Sequence, residues 1–98
     1  MIITSHILMN DLRRLSSAIV TQYHVWNYEV QHEHWTDSSD ILDRYKNTEL
    51  LPGNKVLFYI LKGKAVIYVH VEYSLKRVFV RFVGSVEDFE KYLKRTVA

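Results

Sequence analysis

The sequence predicts an α+β fold: two N-terminal helices packed on a small antiparallel β-sheet, followed by a short C-terminal helix. Three observations carry this. Apolar residues recur three and four apart over the first third of the chain. Three runs rich in β-branched and aromatic residues follow Asn54. Ser85, followed by Asp88, then resembles a capping box and opens an amphipathic tail.

Taken in order, Ser5 N-caps a first helix carrying Ile7, Leu8, Leu12 and Leu15. A second helix presents Ile19, Tyr23, Trp26 and Val30 along one side, and Ser16-Ser17 is a weak break between the two. The segment TDSSDILDRY reads as a loop with a short helix capped by Ser38 or Ser39, and Leu51-Pro52-Gly53-Asn54 is the clearest turn. Lys55 to Leu61, Lys64 to Tyr73 and Arg77 to Val83 are the strands. A tight Lys62-Gly63 turn joins the first pair, since glycine tolerates positive φ, and a four-residue loop, Ser74 to Arg77, joins the second.

Counting back from these turns sets the register. Phe58 pairs with Ile67, Val56 with Val69, Val71 with Val80 and Val69 with Phe82, an aliphatic face that seats the helices. The opposite face collects Tyr59, Val66, Tyr68, His70, Glu72, Phe79 and Arg81, with His70 directly across from Arg81. On the last helix Val86, Phe89, Tyr92 and Leu93 form the apolar stripe. Lys91, Lys94 and Arg95 complement the negative end of its dipole.

Composition narrows the function. A chain of 98 residues predicts one domain, spanning residues 1–98. The absence of cysteine excludes a disulfide framework and a thiolate metal site. No run approaches the ~18 consecutive apolar residues of a membrane span, and the arginines of MIITSHILMNDLRRL follow the apolar residues, the reverse of a signal peptide. A cytoplasmic protein is expected. The net charge of +2 does not by itself imply a nucleic-acid partner. Its placement does more: Lys76, Arg77, Arg81, Lys91, Lys94 and Arg95 gather near the end, and Glu29, Glu33, Asp37, Asp40 and Asp43 in the middle. An ordinary solvated surface explains the same pattern.

The uncovered sheet face has two readings as well. An open face on a small protein is often half polar, and a diagonal Glu72–Arg81 pair contributes only ~0.2–1 kcal/mol. Tyrosines beside an arginine and a histidine also suit the stacking of bases and the holding of phosphates. His32-Glu33-His34 has a metal-like look, yet residues two apart on a helix point about 200° from one another and cannot share a metal there. Trp26 and Trp35 read as core and lid residues, and no glycine-rich phosphate loop or Ser/His/Asp arrangement is present.

The opening MII, Trp26 late in the second helix, Trp35 ahead of the polar helix from Ser38 to Tyr45, the Leu51 to Ile60 segment, Tyr73 and above all VFVRFVGS at 78 to 85 form a recognisable series. In these the chain resembles the HigB-type toxins of bacterial toxin–antitoxin systems, a branch of the RelE-like ribonuclease group. Arg81, Gly84 and Lys91 match that pattern, and Ser85 stands for the usual threonine. Val86 replaces the customary histidine, Phe89 the tyrosine, Val66 an arginine and His70 a lysine. The resemblance implies a RelE-like fold, an endoribonuclease that cleaves messenger RNA on the ribosome without a cofactor, and a HigA-like antitoxin partner.

Metal-free RNA cleavage needs a base for the 2′-hydroxyl, an acid for the leaving oxygen and a cation for the charged phosphorane. Arg81 suits the cation role, and His70 that of base or acid. Glu72 orients His70 only weakly, because same-face neighbours on a strand are ~6.5–7 Å apart. Tyr68, Tyr59 and Phe79 offer stacking surface, and Lys64 and Lys91 positive potential. The alternative is a catalytically degenerate module that binds RNA or a protein partner without cleavage.

Overall fold

The computed structural model describes residues 1–5, 7 and 9–97. It is an α+β structure built on a five-stranded mixed sheet of order β1-β5-β4-β3-β2. The strands are β1 (Ile2–Ser5), β2 (Thr48–Leu51), β3 (Lys55–Ile60), β4 (Ala65–Glu72) and β5 (Arg77–Ser85). The helices are α1 (Met9–Arg13), α2 (Ser17–Gln31), α3 (Ser38–Arg44) and α4 (Val86–Val97).

The sheet is larger than the sequence predicts, and it is not purely antiparallel. The β-branched run Ile2-Ile3-Thr4 forms an edge strand parallel to β5, with Ile3 opposite Val78 and Ser5 opposite Val80. Ser5 therefore closes a strand and does not cap a long helix; its hydroxyl accepts from the Ile7 amide at 3.1 Å. The expected first helix is reduced to the short α1, and Leu8 lies outside the described residues. A further short strand, β2, pairs antiparallel with β3 across the Pro52–Asn54 turn.

The serine break is real: Ser16 caps α2, its hydroxyl accepting from the Ile19 amide at 3.3 Å. The four expected residues, Ile19, Tyr23, Trp26 and Val30, are the buried face of α2. They pack with Trp35 and Ile41 against Val56, Phe58, Ile67, Val69, Val71, Val78 and Val80 of the sheet. On α3 the cap is Asp37 in place of Ser38 or Ser39; its carboxylate accepts from the Ser39 amide at 2.9 Å.

The β3–β4 register is as predicted, with Phe58 opposite Ile67 and Val56 opposite Val69. The β4–β5 register is not. Its turn spans residues 73–76, one step earlier than expected, so Val71 faces Val78 and Val69 faces Val80. Between Val80 and Phe82 the pairing then slips by one: Phe82 faces Tyr68, and Arg81 is the extra residue of a β-bulge. The slip turns Phe82 off the aliphatic face onto the opposite one. There it joins Leu57, Val66, Tyr68, Val86, Phe89, Tyr92 and Leu93 in a second apolar cluster under α4. That face, expected to be open, is covered over part of its length.

Candidate nucleic-acid interface

Where α4 stops covering the sheet, a cleft of about 250 Å³ opens, lined by Lys55, Tyr68, Arg81, Tyr92 and Leu93. Backbone pairing builds it. The bulge gives Arg81 a place in β5 without an opposite residue on β4, which re-aims its side chain. Lys55, the first residue of β3, sits across from His70. Tyr92 comes from the inner side of α4, which the Phe89 contact to Tyr68 (5.1 Å between centroids) holds on the sheet. Arg81 and Lys55 are both exposed, and among the described residues neither is ion-paired with a carboxylate.

His70 lies one same-face step beyond Tyr68 on β4, at the margin of the cleft. Its cross-strand partner on β5 is Phe79, not Arg81, because the turn and the bulge both displace the expected register. The two rings meet edge to face at 6.3 Å. Glu72 is closer than expected: its Oε1 lies 2.7 Å from His70 Nε2. The backbone separation of alternate residues stands, but both side chains lean along the strand and close it. With a proton on Nε2, His70 donates to Glu72 and leaves Nδ1 for another partner.

Tyr68 is brought to the site but offers little surface. It is only 8% exposed, its ring engaged by Phe89 and Tyr92. Tyr59 shares the face yet stands four residues along β3 from Lys55, roughly 13 Å away. Its hydroxyl donates to Glu49 at 3.1 Å, and burial together with that carboxylate raises its pKa. Lys64 is at the far end of β4, where its carbonyl accepts from the Val86 amide at 3.1 Å. Lys91 is exposed on α4 and does not line the cleft.

Lys55 and Tyr92 escaped the sequence reading. Carrying the correct β3–β4 register one pair further, from Val56–Val69 to Lys55–His70, finds the first. Tyr92 carries no such signal: its place depends on how α4 docks.

Three of the four positions that depart from the resemblance come together, His70 standing apart at the margin of the cleft. Val66 is fully buried, Phe89 is 6% exposed, and Val86 packs against the cluster beneath α4 to which both belong. They form the apolar seam that fixes α4 to the sheet. On the other side of the sheet, a crevice of about 350 Å³ between α2 and β3 contains Glu29, Arg44 and Tyr45. Those groups satisfy one another: Tyr45 donates to Glu29 at 2.9 Å, and Arg44 lies 3.3 Å from both Glu29 and Glu33. Burial, aided by Glu29, pushes the Tyr45 phenol up to about 12. No helix among the described residues is long and apolar enough to cross a membrane.

A family model described as HigB_toxin, the RelE-like toxic component of a toxin-antitoxin system, matches residues 20–92. No curated protein matches the chain. The matched span begins within α2 and includes Lys55, Tyr68, His70, Glu72, Arg81 and Tyr92.

Proposed function

The chain belongs to this family of RelE-like toxins, and from that premise we propose that it is an endoribonuclease that cleaves messenger RNA on the ribosome. Family membership makes it one half of a toxin–antitoxin pair. Its antitoxin is HigA-like in this reading, and it acts in the cytoplasm. One observation supports an RNA site most directly: Lys55 and Arg81, which among the described residues are not ion-paired with a carboxylate, line one cleft together with the aromatic Tyr92. Two cations set for a phosphate beside a ring suit a single-stranded backbone and its bases.

The chemistry follows from the residues at hand. The ribose 2′-oxygen attacks the adjacent phosphorus as its proton leaves to a base. The P–O5′ bond breaks, and the departing oxygen takes a proton, leaving a 2′,3′-cyclic phosphate and a 5′-hydroxyl. Arg81 stabilises the dianionic phosphorane by paired N–H contacts. His70, oriented by Glu72, moves one of the two protons. Lys55 and Tyr92 hold the strand in register with them.

The apolar seam of Val66, Val86 and Phe89 favours a second reading, a module that kept the fold and binds without cleaving. A tightly controlled induction in growing bacteria separates the two, following growth and transcript 5′ ends beside Arg81→Ala. Growth arrest with new 5′ ends, both lost in the variant, is the expected outcome. Normal growth and intact transcripts from soluble, folded protein would overturn the enzyme reading in favour of the module.

A further inference from the structure

The apolar cluster under α4 takes up one end of its sheet face, at Leu57, Val66, Tyr68 and Phe82. Strand alternation sets a different group of side chains on the other end. His70 and Glu72 of β4 pair there with Phe79 and Arg77 of β5, and these in turn pair with Thr4 and Ile2 of β1. Arg77 is exposed, and Ile2 is 56% exposed.

This end of the face is mostly of one sign. Lys55, Arg77 and Arg81 stand against one carboxylate, Glu72. Glu72 is directly across from Arg77, yet its Oε1 lies 2.7 Å from His70 Nε2. Among the described residues Arg77, like Arg81, has no ion pair with a carboxylate.

We propose that the RNA strand continues beyond the cleft, along β5 to the β1 edge. Arg77 holds a second phosphate there, and Phe79, beside Ile2 and Thr4, is the floor for a base between the two arginines. Arg77 and Arg81 are four residues apart, roughly 13 Å. One phosphodiester link does not span that distance, so the two cations serve different phosphates. An aromatic ring between two guanidinium groups matches the alternation of base and phosphate along an unpaired strand. A duplex keeps its bases stacked inside and gains nothing from Phe79. Charge complementarity and continuity with the cleft therefore select single-stranded RNA as the occupant. The inference rests on the RNA site proposed at Arg81. It adds a footprint of several nucleotides and a part for β1, which precedes the family match beginning at residue 20.

Fluorescence anisotropy with labelled 2′-O-methyl oligouridylates tests it, since the methyl group blocks attack and separates binding from cleavage. A heptamer should bind wild type at least about tenfold more tightly than a trimer. Arg77→Ala should weaken heptamer binding about tenfold and lower its salt slope by about 0.7. Phe79→Leu keeps an apolar side chain without a π face and should weaken it at least about fivefold. Ile2→Glu, at an exposed position, sets a carboxylate beside Arg77 and should weaken it as well. A heptamer that depends on Arg81 but binds Arg77→Ala as tightly as wild type would overturn the inference and leave the RNA site standing. So would a heptamer no tighter than the trimer. Failure of wild type to bind either oligonucleotide would overturn both readings. Variants that keep the heptamer but lose the purified antitoxin would give this end of the sheet to the antitoxin.

Discussion

Glu72 Oε1 lies 2.7 Å from His70 Nε2, joining two alternate residues of β4 at the margin of the Arg81 cleft. The contact sets the orientation of the imidazole in the absence of RNA, with Phe79 against its edge. If His70 moves a proton in cleavage, His70→Ala lowers the cleavage rate of a short RNA by ~10²–10⁴-fold. Glu72→Gln keeps a hydrogen-bonding group beside the ring and has a smaller effect. Rates equal to wild type in both variants would remove the pair from the chemistry.

Lys55 and Arg81 share a cleft, whereas Lys64 stands at the other end of β4. Each cation that neutralises a phosphate of a single strand adds about 0.7 to the salt slope of binding. Fluorescence anisotropy across a salt series should therefore show a shallower slope and weaker binding for Lys55→Ala and for Arg81→Ala. Lys64→Ala should match wild type. An equal loss in all three would mean a diffuse field and not a site.

Gly84 lies where the sheet meets the ring of Phe82. A Cβ at that position would sit 2.9 Å from Phe82 Cζ and 3.2 Å from Cε1, too close for the ring to stay in place. Gly84→Ala should destabilise the fold by ~1–3 kcal/mol in urea unfolding, the usual cost of overpacking. Phe82→Leu in the same chain should recover part of that loss. No change in the midpoint on Gly84→Ala would show that the ring swings aside freely.

Tyr45 ties the alkaline limit of stability to the α2–α3 contact. Burial, with the Glu29 carboxylate, holds its phenol at about 12 in the folded chain, against 10.0 as the ordinary value. The unfolded chain releases this proton first, so between these values it binds fewer protons than the folded one. Stability from this group is therefore complete below about pH 10 and declines as pH rises towards 12. Tyr59 and Tyr73 are raised in the same direction. Urea midpoints measured across that window should fall less steeply in Tyr45→Phe than in wild type, and an unchanged slope would exclude the tyrosine as its source.

The sequence by itself determined what depends on local periodicity. The helical spacing of Ile19, Tyr23, Trp26 and Val30 identified the buried face of α2. The period of two along β3 and β4 identified the faces of Val56, Phe58, Ile67 and Val69, and placed Tyr68, His70 and Glu72 together on the other side. These patterns follow from backbone geometry, which repeats within a few residues. Only the tertiary structure decided the rest. Ile2–Ser5 became a strand because β5, far along the chain, offered a parallel edge. Arg81 became a bulge because the register fixed at the turn and the register beneath α4 differ by one, and no residue at 81 announces that. The docking of α4 buried Tyr68 and brought Tyr92 beside Arg81. Each of these outcomes is a sum of contacts between distant segments, and such a sum leaves no periodic trace in any one of them.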